Sequence, residues 1–275
     1  MSETEGADPR LTTIETWQPG AILAALWEGQ LAAVAAIGPA LPALERAAAA
    51  ALPRLQLGGR LAYAGAGTSG RIAAQDGAEL APTFGFNRVV LLIAGGSTAL
   101  VHAVEGAEDR IDTAQADVAT LGPADVLIAV AASGRTPYTL ACVAGARAAG
   151  ALTIGIANSP GAPLLDAVEY PVLLRTGPEP VAGSTRMKAG TAQKVALNLL
   201  STLLMIGMGR VYRGRMSNMA ITNDKLRARA VAMVQELARV DPAAAAAALR
   251  ATDGDMKQAV LLAEHNATGA APARS

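Results

Sequence analysis

The chain has 275 residues, enough for one or two domains with a substantial core. It carries 23 basic and 23 acidic residues and no basic patch, so a nucleic-acid surface is not expected. Hydrophobic residues make up 52% and charged residues 17%, which argues against disorder, and the single cysteine, Cys142, excludes a disulfide framework or a cysteine-rich metal site. Lying in an Ala-rich apolar stretch, Cys142 reads as a small buried hydrophobe.

The N-terminus, SETEGADPR, is polar and unlike a secretory signal. Residues 21–55 are rich in Ala and Leu and are broken by Pro39, Pro42 and Pro53, which predicts two or three helices. From Gly59 the texture changes. Short apolar runs at Leu61–Ala66, Val89–Ala94, Val126–Ala131, Leu152–Ala157 and Tyr170–Leu174 end in turns rich in small residues. Stretches of helical composition separate most of them. Such alternation predicts an α/β fold: a parallel five-stranded sheet, buried on both faces by flanking helices. A long apolar helix is expected over Lys188–Arg210, then a basic connection over Arg213–Lys225, a helical appendage over Leu226–Glu264 and a disordered tail over Asn266–Ser275. The expected division is an N-terminal helical segment 1–54, a sheet domain 55–215 and a helical C-terminal region 216–275. The most apolar long segment, Val195–Met208, is too short to span a bilayer and contains Asn198, Ser201 and Thr202. A soluble cytoplasmic protein with no membrane partner is expected.

In parallel sheets, ligands bind beyond the carboxyl ends of the strands, so the chemistry belongs in the turns there. The first turn reads Gly65-Ala-Gly67-Thr68-Ser69-Gly70-Arg71. It matches G-x-G-x-x-G, but the second strand ends Leu92-Ile93-Ala94-Gly95-Gly96 without the acid that dinucleotide binding needs. Glycines that let backbone approach an anion, a following helix N-terminus and the hydroxyls of Thr68 and Ser69 suit a phosphate instead. No Lys follows in P-loop spacing. A second hydroxyl-bearing turn, Ser133-Gly134-Arg135-Thr136-Pro137, also opens a helix; an ordinary helix cap is its competing reading. The segment Glu179-Pro-Val-Ala-Gly183-Ser184-Thr185-Arg186-Met-Lys188-Ala-Gly190-Thr191 brings more hydroxyls and cations to the start of the longest helix, for anion binding or for capping. Two acidic stretches remain: Asp76-Gly-Ala-Glu79, in the helix after the first turn, and Glu105-Gly-Ala-Glu108-Asp109, after the second strand. Acids near a phosphate cradle repel the ligand unless they serve a purpose, surface charge or an ion pair being the alternative. The only histidines are His102 and His265, and no metal-ligand cluster is visible.

Taken in order, these motifs resemble one family. Gly65-Ala-Gly-Thr-Ser-Gly-Arg71, Pro82-Thr-Phe-Gly85, Val104-Glu-Gly-Ala-Glu-Asp109, Ala131-Ala-Ser-Gly-Arg-Thr-Pro-Tyr138 and Gly183-Ser-Thr-Arg-Met-Lys-Ala-Gly-Thr-Ala-Gln-Lys194 are similar to those of the N-acetylmuramic acid 6-phosphate etherases, a sugar-isomerase (SIS) domain family. The resemblance covers roughly residues 55–225. It departs in the opening segment, in a shorter stretch after Gly85, in a shorter C-terminal part and at Leu80-Ala81, where the family typically has Cys-Pro. It implies a three-layer, flavodoxin-like SIS fold and cleavage of a lactyl ether by elimination and hydration, with no metal and no redox cofactor. By motif match, Glu108 would take the C2 proton, and Glu79 would be the acid for the leaving oxygen. Gly67, Thr68, Ser69, Ser133, Gly134, Thr136, Ser184 and Lys188 would hold the substrate. A homodimer is implied by resemblance alone. A non-catalytic sugar-phosphate sensor and an aldose–ketose isomerase are the alternatives on the same fold. The roles of Glu105 and His102 stay open, with a structural role preferred for His102.

Overall fold

The computed structural model describes residues 3–218 and 224–268. By contact pattern the chain divides into two units, residues 1–78 with 88–204, and residues 79–87 with 205–275.

The first unit holds the sheet. Strands β1 (Leu61–Gly65), β2 (Val89–Ile93), β3 (Val126–Val130), β4 (Leu152–Ala157) and β5 (Tyr170–Leu173) are all parallel and lie in the order β2-β1-β3-β4-β5. All five expected strands are present, four of them one residue shorter than the apolar run. β1, β3 and β4 are buried at every position, which is why they read as continuous apolar runs rather than alternations.

Before the sheet come α1 (Pro19–Ala35) and α2 (Leu41–Gln56), joined by a single 3₁₀ turn, Gly38–Ala40. The two expected helices are present, and the division between them falls at the turn that holds Pro39. Pro19, Pro39 and Pro42 stand at the first or second position of their elements, where a missing N–H costs nothing, and Pro53 falls in the last turn of α2. Read continuously, Pro19–Gln56 is long and apolar enough to cross a membrane by length and composition, so the more apolar Val195–Met208 is not the segment that meets this criterion. The remaining helices are α3 (Gly67–Phe84), α4 (Ile111–Val118), α5 (Pro137–Ala148), α6 (Pro163–Ala167) and α7 (Lys188–Gly207).

Side chains alternate across the strands. Ala62 and Ala64 of β1 and Leu127 and Ala129 of β3 share a core with Val118 of α4, Cys142 and Val143 of α5 and Leu164 of α6. On the other face Tyr63 meets α3: its hydroxyl donates to Asp76 at 2.8 Å. Asp76 also accepts from Asn198 at 2.7 Å and Ser201 at 3.0 Å, both on α7. That buried carboxylate therefore ties a strand and two helices together. α2 covers the same sheet near β3 and β5. Cys142 is buried, and burial pushes its thiol up to about 12, so it is an inert packing group.

The second unit has its own core. A short hairpin, β6 (Val211–Tyr212) with β7 (Arg215–Met216), is followed by α8 (Asp224–Ala238), α9 (Pro242–Ala251) and α10 (Met256–Ala267). Ala230, Val234, Ala245, Leu249, Met256 and Val260 pack between the three helices. Asp241 caps α9 by accepting from Ala243 and Ala244, and Asp255 caps α10 through Gln258. Residues 79–87 belong here because Arg210 donates to the carbonyls of Phe84 and Gly85 at 3.1 and 3.0 Å. Asn266, Ala267 and Thr268, assigned to a tail from sequence, form the end of α10 and its C-terminal cap. The rest of that tail, 269–275, and residues 219–223 of the basic connection lie outside the described residues.

Candidate active site at the carboxyl edge of the sheet

The strand order reverses direction between β1 and β3, and ligands of doubly wound sheets bind at such a point. Gly65 is opposite Val130 on one side and Ile93 on the other. The turns that follow β2, β1 and β3 therefore leave the sheet at one level and side by side.

The turn after β1 is built on a backbone-to-backbone contact. A Cβ on Gly70 would stand 2.8 Å from the Gly65 carbonyl oxygen, and one on Gly65 would stand 2.9 Å from the Gly70 nitrogen. Only glycine at both positions lets α3 start this close to its strand. The exposed Gly67, at φ +53°, begins the helix, and Gly70 N–H donates to Ala66 O at 3.0 Å. The first N–H groups of α3 are thereby presented at the edge, with Thr68 half-buried and Ser69 buried beside them.

The turn after β3 has the same character. Gly134 is at φ +64°, and a Cβ there would stand 2.5 Å from the Ala162 methyl. Ser133 Oγ accepts the Arg135 N–H at 3.3 Å. Thr136 precedes α5, with Pro137 at its first position, but its hydroxyl makes no capping bond. The helix cap that competed with a ligand role is thus not made by Thr136.

The third element is the start of α7. A Cβ on Gly190 would lie 3.4 Å from Thr68 Cγ2, so the first turn of α7 packs against the first turn of α3. Ser184 is half-buried in the loop before it. Lys188 is turned elsewhere. Its ammonium donates to Pro178 O at 2.9 Å and lines a separate cavity of about 410 Å³ with Arg10, Trp17 and Glu28.

A cleft of about 190 Å³ opens beside the first turn. Ala66, Gly67 and Arg71 form one wall, and Val104, Glu105 and Glu108 form the other. Glu108 is exposed in a 3₁₀ turn entered through Gly106 at φ +68°. Among the described residues its carboxylate has no hydrogen-bond or ion-pair partner. The geometry therefore brings the start of the Gly67–Arg71 turn and two carboxylates without a partner among the described residues, Glu105 and Glu108, to a single opening. Glu79 is exposed on α3, twelve residues beyond Gly67, and falls in the second unit. His102 is exposed and contributes its carbonyl, not its ring, to the structure. No group of three His, Cys, Asp or Glu side chains among the described residues is arranged to hold a metal.

The fold has solved counterparts. A protein of E. coli CFT073, solved as a ligand complex, superposes with a TM-score of 0.53 at 17% identity, covering 72% of this chain and 97% of that one. A phosphoheptose isomerase from Francisella tularensis gives 0.52 at 20% identity over 69% of this chain and all of that one. Two family profiles match, the glucokinase regulatory protein N-terminal SIS domain over residues 44–147 and the SIS domain over residues 97–203. The relatives are more specific. An N-acetylmuramic acid 6-phosphate etherase from Deinococcus radiodurans is 52% identical over 94% of this chain and 86% of its own length. One from Streptomyces coelicolor is 43% identical over 98% of this chain and 88% of its own. The chain belongs to the N-acetylmuramic acid 6-phosphate etherase family.

Within this etherase-family chain, two features of the site had no reading from sequence. Glu179 is fully buried and caps α7 from outside, accepting the N–H groups of Lys188 at 2.8 Å and Ala189 at 2.9 Å. Burial raises its pKa above the usual glutamate value, against those two bonds and the nearby Lys188 charge, which pull the other way. The cap lies nine and ten residues upstream of the N–H groups it satisfies, so no local capping pattern announces it. The second is Arg71, whose guanidinium bonds two backbone carbonyls of the segment that carries Glu108.

Proposed function

We propose that the chain is a lyase that cleaves the D-lactyl ether of N-acetylmuramic acid 6-phosphate, giving N-acetylglucosamine 6-phosphate and D-lactate in the recycling of cell-wall amino sugars. One observation carries the reading: the cleft joins the Gly67–Arg71 turn to the free carboxylate of Glu108. The phosphate binds at the backbone N–H groups and hydroxyls of Gly67, Thr68 and Ser69 and of Ser133, Gly134 and Thr136. Ser184 is beside it on the sugar. Lys188 acts on the loop that frames the site, since its ammonium is held by Pro178 O.

The chemistry needs a base and an acid. In the open-chain sugar the aldehyde acidifies the C2 proton. Glu108 takes that proton, the electron pair forms the C2–C3 double bond, and the C3–O bond breaks as Glu79 protonates the departing lactate. Water then adds at C3 with Glu79 as base, and C2 regains a proton. General acid or base help of this kind contributes about a hundredfold to ten-thousandfold in rate.

A second copy completes the site in this reading. From Gly67 to Glu79 the helix rises about 18 Å, at 1.5 Å per residue, which is longer than a monosaccharide. A substrate whose phosphate lies on one copy's cradle meets the Glu79 of another. The exposed apolar row Leu23, Trp27, Leu31 and Val34 along α1, and Leu199 and Leu203 on α7, offers surface for such a homodimer rather than for a bilayer. The protein acts in the cytoplasm, where charge retains sugar phosphates, without nucleic acid and without a metal or redox cofactor. The test is to supply N-acetylmuramic acid 6-phosphate and measure released lactate. Activity should appear. Mixing inactive Glu79→Gln and Glu108→Gln chains should restore part of it, because a mixed dimer keeps one intact site. Absence of lactate from the unaltered chain defeats the reading, and failure of the mixture defeats the shared site.

A further inference from the structure

We infer that Arg71 is a positioning residue for the base, clamping the segment that carries Glu108 to the same turn that receives the phosphate; this rests on the function proposed above. The segment from Gly95 to Arg110 has little regular structure of its own. Three of its glycines, Gly95, Gly96 and Gly106, are at φ +84°, +66° and +68°, and residues 100–106 are exposed. Its own backbone bonds are local: Val101 and His102 N–H to Thr98 O, Ala107 N–H to Val104 O and Asp109 N–H to Gly106 O. Two small apolar anchors hold it to the rest of the unit. Ala99 packs with Ala74 and Ile93, and Ala107 joins the main core.

Arg71 supplies the polar anchor. Its Nε donates to Ala99 O at 2.8 Å and its Nη2 donates to His102 O at 3.2 Å. No other side chain from outside the segment hydrogen-bonds to residues 96–109 among the described residues. The fork shape matters, because a guanidinium can span two carbonyls with fixed geometry and an ammonium cannot. So does the choice of acceptor. Arg71 shares the cleft with Glu105 and Glu108, yet it makes no ion pair with either within 4 Å. A carboxylate paired with a guanidinium is a weaker base. Directing the cation at carbonyls fixes the segment while leaving the Glu108 carboxylate unpaired. Arg71 is also two residues from Ser69 on α3. The base and the cradle are thus registered to one turn of one helix, and a displacement of about 1 Å between them can cost about a hundredfold in rate.

The test uses Arg71→Lys and Arg71→Ala in the full chain. For Arg71→Lys, kcat should fall about tenfold to a hundredfold while binding of N-acetylglucosamine 6-phosphate is little changed. Exchange of the C2 proton with deuterated solvent should fall in step with kcat. In Arg71→Ala, added guanidinium ion, kept below unfolding concentrations, should restore part of the loss. Amide exchange over residues 96–109 should speed up in both variants, a readout that needs no activity. Unaltered kcat with unaltered amide exchange overturns the assignment, and so does a raised KM at constant kcat, which would make Arg71 a substrate-binding cation. If Arg71→Ala does not fold, Arg71→Lys carries the test alone. An unaltered chain that releases no lactate defeats the functional reading, and the amide exchange then still decides the clamp.

Discussion

The two edges of the β1–β5 sheet are built from similar residues and used in opposite ways. At the amino edge every arginine is satisfied. Arg54 bonds the carbonyls of Pro123 and Gly150, Arg88 bonds those of Leu55 and Gly59, and Arg60 bonds Asp125 and Thr120 O. Asp125 in turn accepts the backbone N–H groups of Arg60 and Gly122. At the carboxyl edge the hydroxyls of Ser69 and Thr136 and the carboxylate of Glu108 make no such bonds among the described residues. Glu108 is exposed and Thr136 half-buried, so water serves these groups in the free chain and they stay available to the proposed ligand. The difference is one of completion, not of composition.

The largest expected effect tests the open edge. Glu108→Gln should lower turnover about a hundredfold to ten-thousandfold and should abolish C2 exchange into deuterated solvent. Glu79→Gln should slow ether cleavage comparably while leaving some C2 exchange, because the base is intact. Near-normal turnover in Glu108→Gln would remove that residue from the mechanism, and a thermal melt beside the assay excludes unfolding as the cause. A smaller effect belongs to the hydroxyls. Ser69→Ala or Ser133→Ala should weaken binding of N-acetylglucosamine 6-phosphate about tenfold, the loss of one charge-assisted bond of about 1.5 kcal/mol. Unchanged affinity in both, by titration calorimetry, would move the cradle elsewhere.

The closed edge should respond in stability alone. Asp125→Asn should lower unfolding free energy by about 1–3 kcal/mol, read in denaturant, with kcat preserved below the melt. Burial pushes the Asp125 carboxyl up. The bonds from the Arg60 side chain and backbone and from Gly122 outweigh that, so it lies below the ordinary 3.8. A depressed folded pKa gives stability that is present above that ordinary value and lost as pH falls through the folded one. The gap between the native chain and the variant should therefore close below about pH 4. A gap that stays constant into acid would mean the pair contributes nothing through its charge.

The sheet was legible because fully buried parallel strands leave unbroken apolar runs, and Val126–Ala131 and Leu152–Ala157 could hardly be anything else. The turns after β1 and β3 were legible as turns because glycines and hydroxyls cluster within seven residues. What escaped reading depends on distance along the chain. Arg71 meets Ala99 and His102 twenty-eight and thirty-one residues away, and Asp76 meets Asn198 and Ser201 over a hundred residues away. Nothing local marks either partner. Lys188, beside Ser184 in sequence, reads as an anion ligand, and nothing in the sequence signals that its ammonium also bonds Pro178 O. The two helices before the sheet were legible from their prolines: Pro39 and Pro42 mark the division between α1 and α2, whereas Pro53, in the last turn of α2, does not interrupt it.

The contact between Gly65 and Gly70 gives α3 a fulcrum. The twelve residues of α3 in the sheet unit, from Gly67 to Ala78, rise about 18 Å, and the helix is pressed onto the sheet at one end by bare backbone. Any side chain at that point lifts the near end, and a rod pivoting there magnifies a shift of a few tenths of an ångström along its length. Asp76, held by Tyr63, Asn198 and Ser201, works as the second bearing, nine residues beyond Gly67. Two bearings rather than one decide the direction in which the rod points, and so the aim of every side chain that it carries.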